Sequence, residues 1–379
     1  MNQIVVEKLI YGGLGLARTS SGIIFISDVL PGEVVEFEIE GKLQGVPLAR
    51  PLSIVSPSEK RRTPACPYFG ECGGCDWLYI DYDLQIQIKK EIFIDCLKRI
   101  GKVREIPEIE CFNSPEHEYR IRAQLKIDRY GNCGFYRKMS HEVIKINRCP
   151  LLTTQCNAIL KFINESDSCV NSESVKILAG NNGVASDPVF DGITQSHVDI
   201  SVGENTFLAY GDSFFQSNRF LTEVMGIWAS PMVKGDFCVD LYGGTGFFSI
   251  MLGKLFAKGT LVESVSSQVE IAEHNLTVNG CSHFKAVCSD AERLLSVVST
   301  KPDLLIVDPP RTGLTKEVRK SIVSVLPSKI LYISCNPSTQ ARDVSVFLAA
   351  GYSISHAALF DCYPNTHHIE TALLLEKKN

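Results

Sequence analysis

Long hydrophobic runs are missing from this chain. None approaches the roughly 20 residues that a membrane-spanning helix needs, so a helical membrane protein is excluded and no membrane partner is expected. The opening MNQIVVEKLIYGG shows neither a basic leader nor an apolar signal core, so a soluble, cytoplasmic protein is expected. A large excess of one charge is absent too. Net charge is −5, from 38 Lys+Arg against 43 Asp+Glu, which argues against a binder that grips nucleic acid by bulk positive charge. Gly 28 and Pro 17 are ordinary shares of 379 residues, so collagen-like and low-complexity architectures are excluded as well. No internal repeats occur.

A 45% hydrophobic content lets a chain this long bury sizeable cores, and the length suits two or three domains. Charge is unevenly spread. Residues 1–150 carry 21 Lys+Arg and 20 Asp+Glu, while the remainder carries 17 and 23. Between Tyr119 and Arg148 stand 8 basic residues (Arg120, Arg122, Lys126, Arg129, Arg137, Lys138, Lys145, Arg148) against Asp128 and Glu142. Fourteen cysteines (Cys 14) without a secretory signal point away from a disulfide framework and towards metal ligation or nucleophilic chemistry. Most of them, such as Cys96, Cys156, Cys238 and Cys288, stand singly and read as small core residues.

Three styles of sequence succeed one another along the chain. Residues 1–56 hold short β-like runs broken by Gly and Pro-Gly turns (GLGLART, GIIFISDVLPG, EVVEFEIEG, PLARPLSIV), which predicts a small β-barrel. A polar, Pro-bearing linker, PSEKRRTPACP, leads into a central region, 57–208, of mixed α+β character. There Leu84, Ile88, Ile92 and Leu97 predict a helix over 82–100 with Gly101 as its C-cap, and LLTTQCNAILKFINE predicts another. Residues 209–379 alternate buried strands with helices (FCVDLYGG, GTLVESV, DLLIVDPP, KILYISCNP), as a doubly wound, Rossmann-like parallel sheet does.

Candidate chemistry lies at the strand ends of that last region. Asp240-Leu-Tyr-Gly-Gly-Thr-Gly246 closes a strand and opens a helix; its Tyr242 and Gly244 would let the backbone approach a ligand. Glu263 ends the next strand, where a carboxylate can accept both hydroxyls of a ribose, and Asp290 follows a third β-like run. That ordered set is the pattern of an S-adenosylmethionine site. Asp308-Pro-Pro-Arg311 ends the DLLIV strand. Its fourth residue is Arg, not the stacking aromatic that adenine-amine chemistry needs. Cys335 ends KILYIS, where a nucleophile would stand, and Glu370 in His367-His368-Ile369-Glu370 is a candidate general base. Taken alone, Cys335 would be a half-buried structural thiol and Glu370 a surface charge.

Together DLYGGTG, Glu263, DPPRTGL, SCNPST and HHIE resemble the RNA uridine-5-methyltransferases, and GDSFFQSN, with Gln216, matches their F-x-Q-x-N motif. Cys66, Cys72, Cys75 and the distant Cys149 resemble the iron–sulfur site of the family's ribosomal-RNA branch, and residues 1–56 resemble that branch's OB-like TRAM barrel. Here Gly243 stands where the family often has Cys, and Phe247 where it often has Asn. The resemblance implies a C-terminal methyltransferase domain using S-adenosylmethionine. It implies Cys335 as nucleophile, Glu370 as the base that removes the carbon-5 proton, and Gln216 and Asp308 holding the base edge or the cofactor. It further implies structured RNA as partner, most of all 23S ribosomal RNA, and a monomer. Spacing alone leaves the four cysteines open between zinc and iron; the resemblance favours a 4Fe–4S cluster. Two other readings stay open: a transfer-RNA T-loop enzyme, and a non-catalytic RNA-binding iron–sulfur protein.

Overall fold

The structure, a computed structural model, describes residues 3–166 and 172–378. Residues 1–2, 167–171 and 379, at the ends and in the middle of the three expected regions, lie outside it.

Six strands form the N-terminal sheet, in the order Gln3–Val5, Val34–Leu43, Val46–Ser56, Gly22–Ile26, Gly15–Thr19, Lys8–Leu9. Its two edge strands are separated in the chain by Val6 and Glu7 alone, so the sheet has to roll until its edges meet. Glu7 N donates to Leu16 O at 2.8 Å and Val6 N to Glu33 O at 2.9 Å along that seam. Val6, Ala17, Ile26, Val29, Val35 and Ala49 fill the interior. Arg61 of the linker is ion-paired at 2.7 Å with Glu33, whose side chain is fully buried, and so fastens the roll to the chain beyond it.

The central sheet has five antiparallel strands, in the order Val143–Lys145, Cys133–Tyr136, Arg122–Ile127, Ser174–Gly180, Gly183–Asp187. Alternation sets its faces: Ala123, Leu125 and Ile127 are buried, while Arg122, Gln124 and Lys126 point the other way. The helix Thr154–Glu165 covers the buried face through Cys156, Ile159, Leu160 and Ile163, with Thr153 as its N-cap.

Eight strands make the C-terminal sheet: Phe284–Cys288, Phe256–Glu263, Gly235–Leu241, Leu304–Val307, Lys329–Ser334, Glu370–Lys377, Tyr352–Phe360 and Ile109–Phe112. The first five run parallel. Buried on both faces, they read as continuous apolar runs: Leu304 and Ile306 join one core, Leu305 and Val307 the other. Two features depart from expectation. The sheet is mixed rather than wholly parallel, because Glu370–Lys377 inserts antiparallel between Lys329–Ser334 and Tyr352–Phe360. And residues 82–112, expected within the central region, pack on this sheet. The helix Tyr82–Arg99 lays Ile88, Ile92, Phe93 and Leu97 into its core, and Ile109–Phe112 pairs in parallel with its edge. The physical cause is that edge: Tyr352–Phe360 would otherwise present unpaired backbone groups.

Gly101 corrects a smaller expectation. It is not a left-handed C-cap; Lys102 takes the positive φ of 54°. A Cβ at Gly101 would stand 2.8 Å from Leu97 O and 3.1 Å from Ala341 O, so glycine here permits close approach to the helix Pro337–Ala349.

Candidate active site

In a parallel sheet, side chains that act on ligands gather outside the carboxyl ends of the strands. Asp308 follows Val307 and Cys335 follows Ser334 at that edge. Antiparallel insertion brings the amino end of Glu370–Lys377 to the same place, with Thr371 opposite Ser334. A pocket of about 420 Å³ results, lined by Phe214, Gln216, Asp308, Pro309, Pro310, Arg311, Cys335, Tyr363, His368 and Glu370. Four of the eight residues expected to be catalytic or cofactor-binding thus share one wall-to-wall space: Gln216, Asp308, Cys335 and Glu370.

The neighbours of Cys335 are held on both sides. Asn336 caps the helix Pro337–Ala349, accepting from Ser338 N at 3.0 Å, and donates to Arg311 O at 2.9 Å. Asp343, fully buried, accepts Leu314 N at 2.8 Å, Arg319 at 2.5 Å and Tyr332 Oη at 2.7 Å, which anchors the loop that carries Arg311. Arg311 Nη2 lies 3.4 Å from His368 Nδ1, which must be the acceptor. His368 stays neutral: burial, His367 and Arg311 push it down to about 3.

Electrostatics in the pocket favour protons on acids. Burial pushes Asp308 up to about 7, and burial together with Asp308 raises Glu370 well above the usual carboxylate range. Burial, Glu370 and Asp308 push the Cys335 thiol up to about 11, with Arg311 pulling the other way.

Tyr242, Gly244, Glu263 and Asp290 lie along the same edge, beside the pocket rather than in its lining. Gly244 N donates to Glu263 Oε2 at 3.1 Å, so the loop and the acid of the expected cofactor set touch. Tyr242 at φ 63° and Gly244 at φ 51° turn the backbone outward, and a Cβ built on Gly244 meets nothing within 4 Å. That open cradle and the carboxylate beside it fit a nucleoside and its amino-acid tail. Asp290 is exposed and starts a short 3-10 turn. The two departures from the family motif have local explanations. Leu261 fills the space a side chain at Gly243 would need, 2.4 Å from its missing Cβ. Phe247 is buried against Phe207, Phe215 and Phe248, with its ring in the core.

Cys66, Cys72, Cys75 and Cys149 line one other cavity, walled by Phe69, Leu78, Phe135 and Leu151, with Arg120 at its side. Backbone bonds hold the two arms: Gly73 N to Tyr136 O at 2.9 Å, and Cys149 N to Asn157 Oδ1 at 2.8 Å. Burial raises Cys72, Cys75 and Cys149, and the neighbouring thiols add to each rise. Among the described residues, no three His, Cys, Asp or Glu stand close enough to clasp a single metal ion.

Several site residues escaped the sequence reading. Phe214 and Tyr363 line the pocket, and Tyr11 reaches it from the N-terminal roll: its hydroxyl donates to Cys335 O at 3.4 Å. Only Phe214 had a signal, as the first residue of the F-x-Q-x-N motif.

Fold and edge-on pocket define the architecture: a mixed α/β sheet with a ligand-sized pocket at its strand ends, joined to an N-terminal roll and a central sheet. A solved Pyrococcus abyssi tRNA (uracil-54, C5)-methyltransferase, in complex with S-adenosyl-L-homocysteine, has the same fold. Its TM-score is 0.78 at 23% identity, over 98% of this chain and 100% of that one. The model of the tRNA (uracil-5-)-methyltransferase family matches residues 193–378. An RNA methyltransferase of Aquifex aeolicus, itself uncharacterized, is 31% identical over 100% of this chain and 99% of its own. The 23S rRNA (uracil(1939)-C(5))-methyltransferase RlmD of Marinomonas posidonica is 27% identical over 100% and 96%. The chain belongs to the RNA uracil-5-methyltransferase family and is an RNA-methylating enzyme. Among the described residues, no helix is long and apolar enough to cross a membrane.

Proposed function

We propose that this enzyme methylates carbon-5 of a uridine in 23S ribosomal RNA through a covalent adduct between Cys335 and the uracil ring. The observation that carries this is the convergence of Cys335, Asp308 and Glu370 on one pocket beside the glycine loop. S-adenosylmethionine, when bound, supplies an electrophilic methyl group. Carbon-5 of uracil is too weak a nucleophile to take it unaided. The Cys335 sulfur adds to carbon-6, the ring's electrons move to the carbonyl as an enolate, and carbon-5 becomes nucleophilic. Once carbon-5 carries the methyl, Glu370 takes the carbon-5 proton, the double bond re-forms and the thiolate leaves. Asp308 and Gln216 hold the base edge, and Arg311 steadies the loop. Tyr242, Gly244, Glu263 and Asp290 would hold the cofactor, alone or with Asp308 and Gln216. To reach the pocket the base must leave its stack, which costs a few kcal/mol.

Ribosomal RNA is favoured by end-to-end likeness to relatives named for it. We read residues 1–56 as a TRAM-like RNA-binding barrel, 57–208, apart from the 82–112 segment packed on the C-terminal sheet, as the cluster and RNA region, and 209–379 as the methyltransferase domain. Cys66, Cys72, Cys75 and Cys149, which line one cavity, would hold a 4Fe–4S cluster. Its job would be to brace the RNA-binding region, since the methylation uses no electron transfer. Mapping of 5-methyluridine in cells lacking the protein tests the substrate. Loss from 23S ribosomal RNA is expected; loss from transfer RNA alone overturns it.

A further inference from the structure

The N-terminal roll does more than lie beside the active site. Its first turn, Tyr11-Gly12-Gly13, takes positive φ at both glycines, 97° and 84°, and is closed by Gly13 N to Ile10 O at 3.0 Å. The turn is seated without slack: a Cβ on Gly13 would lie 3.0 Å from both Asp76 Oδ2 and His367 Cβ. Asp76 accepts His367 N at 3.0 Å and pairs with the His367 ring. His367 lies three residues before Glu370. From this seat Tyr11 extends its hydroxyl to the carbonyl oxygen of Cys335.

The geometry points to Tyr11 as a positioning residue for the nucleophile, through which the N-terminal roll completes the methyltransferase site. Its hydroxyl fixes the peptide plane on the carboxyl side of Cys335 and so the direction of the thiol. Ser334 and Asn336 are already fixed on either side, by the strand and by the helix cap. The Cys335 carbonyl is the next point at which that short segment can be restrained. Burial raises the Tyr11 phenol, and Arg311, Cys335 and Glu370 are among the charges acting on it, so it is protonated and donating at neutral pH. A binding module that also sets the nucleophile ties full activity to the whole chain, since the C-terminal domain lacks this donor. The inference rests on Cys335 being the nucleophile.

The test is Tyr11→Phe in the full-length enzyme, which removes one oxygen and keeps the ring. Steady-state methylation of a 23S RNA fragment would be measured with thermal unfolding. Trapping rate of the covalent adduct on the same RNA carrying 5-fluorouridine would be measured alongside. We expect kcat and the trapping rate to fall about tenfold, the scale of one hydrogen bond. KM for RNA and the unfolding temperature should stay put. Unchanged kcat and trapping would overturn the inference. A raised KM with kcat intact would overturn it too, by making Tyr11 an RNA contact. Absence of any adduct with the unmutated enzyme would remove the nucleophile reading itself, and this inference with it. That outcome is distinct, because it precedes any substitution.

Discussion

Cys335 occupies a place hostile to its own ionisation. With the thiol pushed up to about 11, thiolate is on the order of one part in a thousand at pH 8. The proposed attack therefore requires the thiol proton to pass first to a base or to solvent. Alkylation of the free enzyme, then peptide mapping, should show Cys335 reacting about tenfold faster per pH unit from 7 to 9, without a plateau. Exposed Cys288 serves as the internal reference. Arg311→Ala removes a cation that favours the thiolate, so Cys335 should then react more slowly still; a faster reaction would contradict the assigned geometry. Glu370 is also tuned. Burial and Asp308 raise it above the usual carboxylate range, so it is a stronger base than a free carboxylate once it is ionised, and the proposed role requires that ionised form. Glu370→Gln should pass through addition and methyl transfer and stall there. A denaturation-resistant protein–RNA adduct should accumulate, and Cys335→Ala should abolish it. Free turnover by Cys335→Ala would end the mechanism. Asp308 sets the pH sign. Its carboxyl, at about 7, is protonated below that value, so activity that needs the anion should be lost as pH falls from 8 to 6.

At the scale of elements, the helix Tyr82–Arg99 is the strut between regions. Lys89, fully buried, pairs with buried Asp361 at 2.6 Å and donates to Tyr363 O at 3.1 Å, which holds the segment carrying Tyr363 against the pocket. Removing one partner of such a pair leaves an uncompensated buried charge. Lys89→Ala should thus cost about 3–5 kcal/mol in chemical denaturation. Lys89→Met with Asp361→Leu should recover most of that loss; equal loss in both would show that packing, not charge, dominates. The helix was legible in its 3.6-residue apolar spacing, and the parallel strands in their unbroken apolar runs. The placement of the glycine loop, Cys335 and Glu370 at strand ends was legible because each sits in a local motif there. Tyr11, Asp76 and Lys89 were not. Their partners stand hundreds of residues away in sequence, and no local pattern encodes a pairing that only the packed sheet creates. The antiparallel insertion of Glu370–Lys377 escaped for the same reason, since direction leaves no trace in a buried apolar run. The cysteine loop makes its own demand: protein purified without oxygen should be brown and carry about four irons per chain. Stoichiometric zinc without iron would reject the cluster.

Across the whole molecule, the basic stretch of the sequence divides into unequal parts. Arg137 is bound to Glu71 and Glu142, Lys138 to Asp28, and Arg148 to Glu118, while Arg120 faces the thiol cavity. Arg129 lies over the ring of its neighbour Tyr130, 4.8 Å from the centroid, and the other three form a row. Arg122 stands over the exposed ring of Phe214 at the pocket mouth, 5.5 Å from its centroid. Lys126 comes next on the same face of the same strand, and Lys145 aligns with it across Gly134, which pairs with both. The row leads from the pocket mouth out along the central sheet, as a track for a phosphate backbone would. Counterion release makes such contacts visible in salt titrations. Lys126→Ala with Lys145→Ala should weaken RNA binding most at low salt. The slope of log affinity against log salt should shrink by roughly 1.4, at about 0.7 per lost phosphate contact on single-stranded RNA. Because neither lysine lines the pocket, kcat at saturating RNA should hold. An unchanged slope would place the RNA on another face, and a fall in kcat with the slope intact would mean that these lysines act on the site and not on the backbone.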